Sequence, residues 1–61
     1  MYVFQMNDGS WRISLKTSAH LTFGAILLNA EAYRLYNRIY DSEHVARHAE
    51  RRIRSLIEAA A

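Results

Sequence analysis

His20-Leu21-Thr22-Phe23-Gly24-Ala25-Ile26-Leu27-Leu28 admits two structures, and the architecture of the chain turns on which it takes. As a helix, it opens a seven-residue register that runs on to Ala60. Leu21, Leu28, Leu35, Ser42, Ala49 and Leu56 fall on one position of the repeat. Ala25, Ala32, Ile39, Ala46, Ile53 and Ala60 fall on its partner position, and eleven of these twelve places are apolar, Ser42 being the exception. Such a stripe has to be buried, because each Leu or Ile left in water forgoes ~1.5–3 kcal/mol. As a third antiparallel strand, residues 20–28 would instead leave Asn29 to cap the helix that follows. Gly24 and Asn29 each cost a helix up to about 1 kcal/mol in propensity. Heptad continuity and the helix-forming residues 25–28 favour one, with Thr17-Ser18 ending what precedes and capping a helix from Ala19.

Upstream, residues 2–16 read as a β-hairpin. Tyr2-Val3-Phe4-Gln5-Met6 and Trp11-Arg12-Ile13-Ser14-Leu15-Lys16 flank Asn7-Asp8-Gly9-Ser10, residues that tolerate turn geometry. With those four as the loop, Met6 is expected to face Trp11, Phe4 to face Ile13 and Tyr2 to face Leu15. All six then share one sheet face, while Val3, Gln5, Arg12, Ser14 and Lys16 share the other. A lone hairpin is marginal in water, so its apolar face needs a helix or a third strand.

Downstream, helix is secure from Ala30. The expected elements are a helix over 19–40, or a strand over 20–28 and a helix over 30–40, followed by a helix over 43–60. Asp41-Ser42-Glu43 is the one interruption, since Ser42 suits an N-cap and acids suit a first helical turn. An unbroken helix over 21–60 would be about 60 Å long, far more than a hairpin covers. Either a bend at Asp41-Ser42 folds the second helix back, or the helix stays straight and dimerises. The expectation is therefore one small α+β domain: an N-terminal hairpin, with or without a third strand, packed on long, coiled-coil-like helical structure. A homodimer is expected along a seam of Leu28, Leu35, Ile39, Ile53 and Leu56.

Composition points the same way. A chain of 61 residues has a core that rarely supplies more than ~3–5 kcal/mol, and disulfides, metals or oligomerisation usually make up the rest. There is no cysteine, so disulfides and cysteine metal sites are excluded and self-association is the remaining route. No run of apolar residues is long enough to span a membrane, and Met1–Trp11 lacks the pattern of a signal peptide, so a cytoplasmic location is expected. From residue 29 onward six arginines (34, 38, 47, 51, 52, 54) oppose five acids (31, 41, 43, 50, 58). That is a mixed-charge helix rather than a polycation.

Among the side chains that could act, Tyr33, Tyr36 and Tyr40 occupy a second stripe beside the seam. Arg47, Arg51 and Arg54 continue its azimuth. Tyr and Arg combine large contact area with a polar tip, which makes this stripe the candidate partner-binding surface. The alternative for the same residues is structural, with tyrosines widening the core face and arginines solvating a helix. His44 and His48 are spaced i, i+4 with Asp41 one turn earlier, but Val45 stands where the zinc hydrolase motif has Glu. They are read as solvated histidines, and no metal or other cofactor is expected. No nucleophile elbow or Gly-rich phosphate loop occurs, and no small-molecule substrate or enzymatic activity is expected.

Asp8-Gly9-Ser10-Trp11-Arg12 at the first turn and Ala30-Glu31-Ala32-Tyr33 opening a helix resemble the three-stranded, helix-backed DNA-binding modules at the start of tyrosine integrases. The resemblance covers about half the chain, its motifs are unspecific, and it requires the third strand. It implies a sheet face that reads DNA, for which this chain offers Arg12 and Lys16, with Arg51 and Arg52 as helix cations. The leading expectation is a small non-enzymatic interaction protein that binds and modulates or inhibits a larger macromolecular complex. A phage-encoded inhibitor of host defence is an example. The runner-up is a small dimeric DNA-binding regulator.

Overall fold

A computed structural model describes residues 1–15 and 20–60. Two strands, β1 (Tyr2–Gln5) and β2 (Trp11–Ser14), precede three helices, α1 (His20–Leu27), α2 (Ala30–Tyr36) and α3 (Glu43–Ala60). The architecture is α+β, a two-stranded antiparallel hairpin packed on helices. Residues 20–27 form helix, not the third strand that the integrase-type resemblance requires. The expected Thr17-Ser18 cap and Lys16 lie outside the described residues. No described helix is long and apolar enough to cross a membrane.

The long helical register is cut twice, each time by a polar side chain that captures backbone. Asn29 sits in extended conformation (φ −122°, ψ 110°), and its Oδ1 accepts from the Ala32 N–H at 3.0 Å. It ends α1 and caps α2 in one residue, because its short amide competes with the helical ladder. Ser42 does the same for α3, its Oγ accepting from the Val45 N–H at 3.2 Å. The six residues 37–42 between them fold α3 back against α2, so a 60 Å rod does not form.

α3 sorts its residues into two sides, with Val45 the large apolar side chain left exposed. Ala46, Ala49 and Ile53 lie on one side and are buried, with Leu56 and Ile57 beside them. Its opposite side carries His44, His48, Arg51 and Ser55, all exposed. Spacings of three and four residues produce this two-sidedness at 3.6 residues per turn. Ile13, Ile26, Ala32 and Tyr40 complete the core. Small alanines at 32, 46 and 49 let α2 and α3 approach closely, and Glu31 on α2 closes that contact with a two-pronged pair to Arg52 (2.8 and 3.3 Å).

The hairpin register differs by one residue from the expected one. Tyr2 stands opposite Ser14, Val3 opposite Ile13, Phe4 opposite Arg12 and Gln5 opposite Trp11. The loop is Asn7-Asp8-Gly9: Met6 N–H donates to the Ser10 carbonyl (2.7 Å) and Gly9 N–H to that of Met6 (3.0 Å). Gly9 has φ +91°, which a three-residue loop with a glycine bulge needs and a bulkier residue resists. Asp8 locks the turn by accepting from both the N–H and the Oγ of Ser10, which holds its carboxyl below the usual aspartate range. A one-residue slip exchanges faces along a whole strand. Val3 therefore joins Trp11, Ile13 and Leu15 against the core, while Tyr2, Phe4 and Met6 turn outward with Arg12.

Tyr40 joins the two halves. It exchanges both main-chain hydrogen bonds with Trp11 (2.8 Å each), adding a single bridge to the far edge of β2. Its hydroxyl donates to the Leu35 carbonyl at 2.6 Å, satisfying the C-terminal end of α2.

Candidate functional site

α1 lacks the two-sidedness of α3. Ile26 is fully buried, yet Phe23 and Leu27, one turn apart, are exposed, and Leu28 just past the helix is 92% exposed. The Phe23 ring meets the Tyr36 ring edge-on at 5.9 Å, which ties this apolar side of α1 to α2. On α2, burial of Ala32 fixes the orientation of the helix and turns the opposite side to solvent. There Ala30, Tyr33, Arg34, Asn37 and Arg38 line an open groove. Ile39, 58% exposed, follows immediately. Five of the eight large hydrophobic side chains left exposed among the described residues lie between 23 and 39.

The electrostatics of this surface are one-signed. Glu31, the only acid in the segment, is engaged by Arg52, whose guanidinium holds its carboxyl below the usual glutamate range. Arg34 and Arg38 have no carboxylate partner among the described residues. The Arg38 guanidinium stands over the Tyr40 ring at 5.8 Å. Desolvation pushes the Tyr40 phenol above its ordinary value, and the Arg38 charge opposes that rise. The groove lined by Ala30, Tyr33, Arg34, Asn37 and Arg38 is thus cationic, and open rather than enclosed. It suits contact with another surface more than envelopment of a small molecule.

The side chains expected to form a single Tyr–Arg stripe are dispersed. Tyr33 lines the groove and Tyr36 is half-buried against Phe23. Tyr40 is not helical: it is buried at the joint with β2. Arg47 pairs with Glu43 at 2.7 Å, and Arg54 pairs with Glu50 and also reaches the Met1 carbonyl at 3.2 Å. Arg51 is exposed, with no ion pair among the described residues. The stripe assumed a continuous helical azimuth, and the turn at 37–42 removes it.

The seam residues divide likewise. Ile53 is fully buried within the chain, Leu35 and Leu56 pack beside it, and Leu28 and Ile39 point to solvent. Of the expected nucleic-acid contacts, Arg12 leaves the outer face of the hairpin, whereas α3, carrying Arg51 and Arg52, packs on the inner face. The His44 and His48 rings sit edge-on at 4.5 Å, and no cluster of three metal-ligating side chains occurs among the described residues.

Sequence reasoning did not single out Phe23 or Leu27 for contact, whereas Arg34 and Arg38 were expected beside the tyrosines, where Arg38 does stand over Tyr40. The available signal was that residues 20–28 are apolar nearly all round, more than one buried face requires. No family model, curated protein or solved structure matches this chain.

Proposed function

We propose that this chain is a small non-enzymatic interaction protein that modulates a larger macromolecular complex by docking on one of its protein components. The observation that carries this is the concentration of exposed Phe23, Leu27, Leu28, Tyr33 and Ile39 in one segment, which also carries Arg34 and Arg38 in the groove beside Tyr33. Aromatic and Arg side chains around an apolar centre are the composition of interface hot spots. Inhibition of a host defence complex is one activity that a bare contact surface of this size can perform. The test is capture from host lysate with and without nuclease, using wild type and Leu28→Asp. Discrete proteins that survive nuclease and are lost with Leu28→Asp, while the circular dichroism spectrum is unchanged, support the reading. Retention by Leu28→Asp, or loss of all bound material on nuclease treatment, overturns it.

The second reading, a small dimeric DNA-binding regulator, draws support from the outward side of α3. His44, His48, Arg51 and Ser55 form a line there that runs to Glu58. It predicts an affinity that falls steeply with salt, with a slope set by the phosphates contacted. Ion pairs of Arg47, Arg52 and Arg54 with glutamates weigh against it, because those cations are already neutralised.

A further inference from the structure

Among the described residues the hairpin has one strand edge open, and the hydrogen-bond alternation says which groups it presents. In an antiparallel pair, residues alternate between bonding to each other across the ladder and pointing their N–H and C=O away from it. Trp11 points away, since both its main-chain groups go to Tyr40. Its opposite residue Gln5 therefore also points away, on the far side of β1, and so does Val3 two residues earlier. The two edges of the sheet thus differ. That of β2 is closed at Trp11 by Tyr40, whereas Val3 and Gln5 find no backbone partner among the described residues.

Proteins usually blunt such an edge with a charge, a proline or a bulge. β1 reads Tyr-Val-Phe-Gln and has none of these, and its bulge glycine lies in the loop. Beside the edge, the outer face carries Tyr2 and Phe4 with ring centres 6.0 Å apart, and then Met6; Tyr2 and Met6 are exposed.

We propose that β1 pairs antiparallel with β1 of a second copy of this chain about a two-fold axis at Phe4, making a four-stranded sheet. With Phe4 opposite Phe4 of the second copy, Val3 faces Gln5 of the other chain and Gln5 faces Val3. All four outward N–H and all four outward C=O groups are then used. The same register puts Tyr2 opposite Met6 of the other chain, so each exposed side chain of the outer strip gains an apolar cross-strand neighbour. Phe4 and its symmetry mate fall in the non-hydrogen-bonded arrangement, in which Cα atoms approach to about 4.5 Å and side chains lie closest.

Neighbouring registers do less. Centring on Val3 sets Gln5 against Met1, whose carbonyl is held by Arg54. Centring on Gln5 sets Val3 against Asn7, which is in the loop. A second copy also suits the strand electrostatically. The four residues of β1 are uncharged, and the two Arg12 side chains would lie three strand spacings apart, roughly 14 Å. That exceeds the ~8 Å over which salt screens charges. This dimer rests on strand geometry alone and stands or falls independently of the α1–α2 surface. It replaces the helical seam, whose Ile53 is occupied within the chain.

Sedimentation and amide exchange of the full chain across a concentration series test the proposal, with single-cysteine variants as a second arm. The chain has no cysteine, so Phe4→Cys and Asp8→Cys each carry one thiol. Expected are a dimer mass at high concentration and Val3 and Gln5 amides that exchange about ten-fold or more slowly there than in dilute solution. Phe4→Cys is expected to oxidise to a linked dimer well ahead of Asp8→Cys, since facing Cα atoms at ~4.5–5.5 Å are within disulfide reach. A monomer at all concentrations, or a dimer whose Val3 and Gln5 amides exchange at the dilute rate, overturns the assignment.

Discussion

Helix α3 turns Ala46, Ala49 and Ile53 to the core and His44, His48 and Arg51 to water. Helix α1 buries Ile26 but sends Phe23 and Leu27 outward, with Leu28 beyond them. The first pattern is that of an element whose apolar side is turned to the core, with Val45 near its start left exposed. The second leaves apolar area unburied, which stability alone does not call for. A domain this small has little apolar surface to spare. On the proposed reading, the difference separates residues that hold the fold from residues that remain available to a partner.

Substitution on the two sides of that divide is expected to part stability from binding. Ile53→Ala should be the most damaging change, because Ile53 is fully enclosed and such truncations cost about 2–5 kcal/mol. That is comparable to the whole stability of a core this size, ~3–5 kcal/mol. Thermal melts should show the variant largely unfolded at 25 °C. Ile26→Ala should fall in the same range. If it melts close to wild type instead, α1 is only loosely held and the comparison loses its footing.

Leu28→Asp should do the reverse. At 92% exposure it is expected to shift stability by no more than about 0.5 kcal/mol, as for most surface changes. Arg38→Glu should likewise leave the fold intact and reverse the charge of the groove rim. Loss of partner capture by both variants, with unchanged melts, would sharpen the distinction. An effect on melting alone would erase it.

Between these extremes lie the joints that set where each helix stops. Asn29→Ala removes the acceptor for the Ala32 N–H, a cap worth about 1 kcal/mol. Tyr40→Phe removes the hydroxyl that meets the Leu35 carbonyl, at about 0.5–1.5 kcal/mol. Two-state melts of the two variants should show similar, moderate losses. Alkaline titration adds a check on Tyr40. Its raised phenol pKa means that the unfolded chain ionises first, so this residue's contribution is kept below the ordinary tyrosine range and lost as pH rises beyond it.

The placement of those joints explains what was legible beforehand. The hairpin, the late helix and the cap at Ser42 are written in local chemistry: turn residues between alternating strands, a 3.6-residue period, a hydroxyl before a run of helix formers. The strand register was not, because Asn7-Asp8-Gly9-Ser10 is compatible with a three- or a four-residue loop and only the φ of Gly9 separates them. Reading the loop one residue too long put Phe4 and Tyr2 inside and Val3 outside. Leu28 and Ile39 show how the heptad crosses the helix breaks. Both keep the spacing, but Asn29 and the turn at 37–42 rotate them off the face that the spacing implies. Periodicity records what a helix would bury if it continued, and a single capping amide decides whether it does. Tyr40 is the clearest case, since its role as a bridge to Trp11 arises only once the chain has turned back.

A further small effect belongs to the contact that fastens α2 to α3. Glu31 and Arg52 are both half exposed, and water and salt screen exposed pairs so that each adds little to stability. The lowered carboxyl pKa fixes the sign of its pH dependence. The folded state resists protonation more than the unfolded one, so the pair contributes fully above the ordinary glutamate range. It fades as pH falls through about 4 and below. Glu31 also lies in the first turn of α2, where a negative charge is favoured without Arg52, so one substitution conflates two effects. A double-mutant cycle of Glu31→Gln and Arg52→Gln, melted at pH 7 and pH 3, separates them. The coupling between the two should be measurable at pH 7 and shrink both in high salt and at pH 3. A coupling unchanged by salt and by pH would mean that the two side chains hold α2 to α3 by packing of their stems rather than by charge.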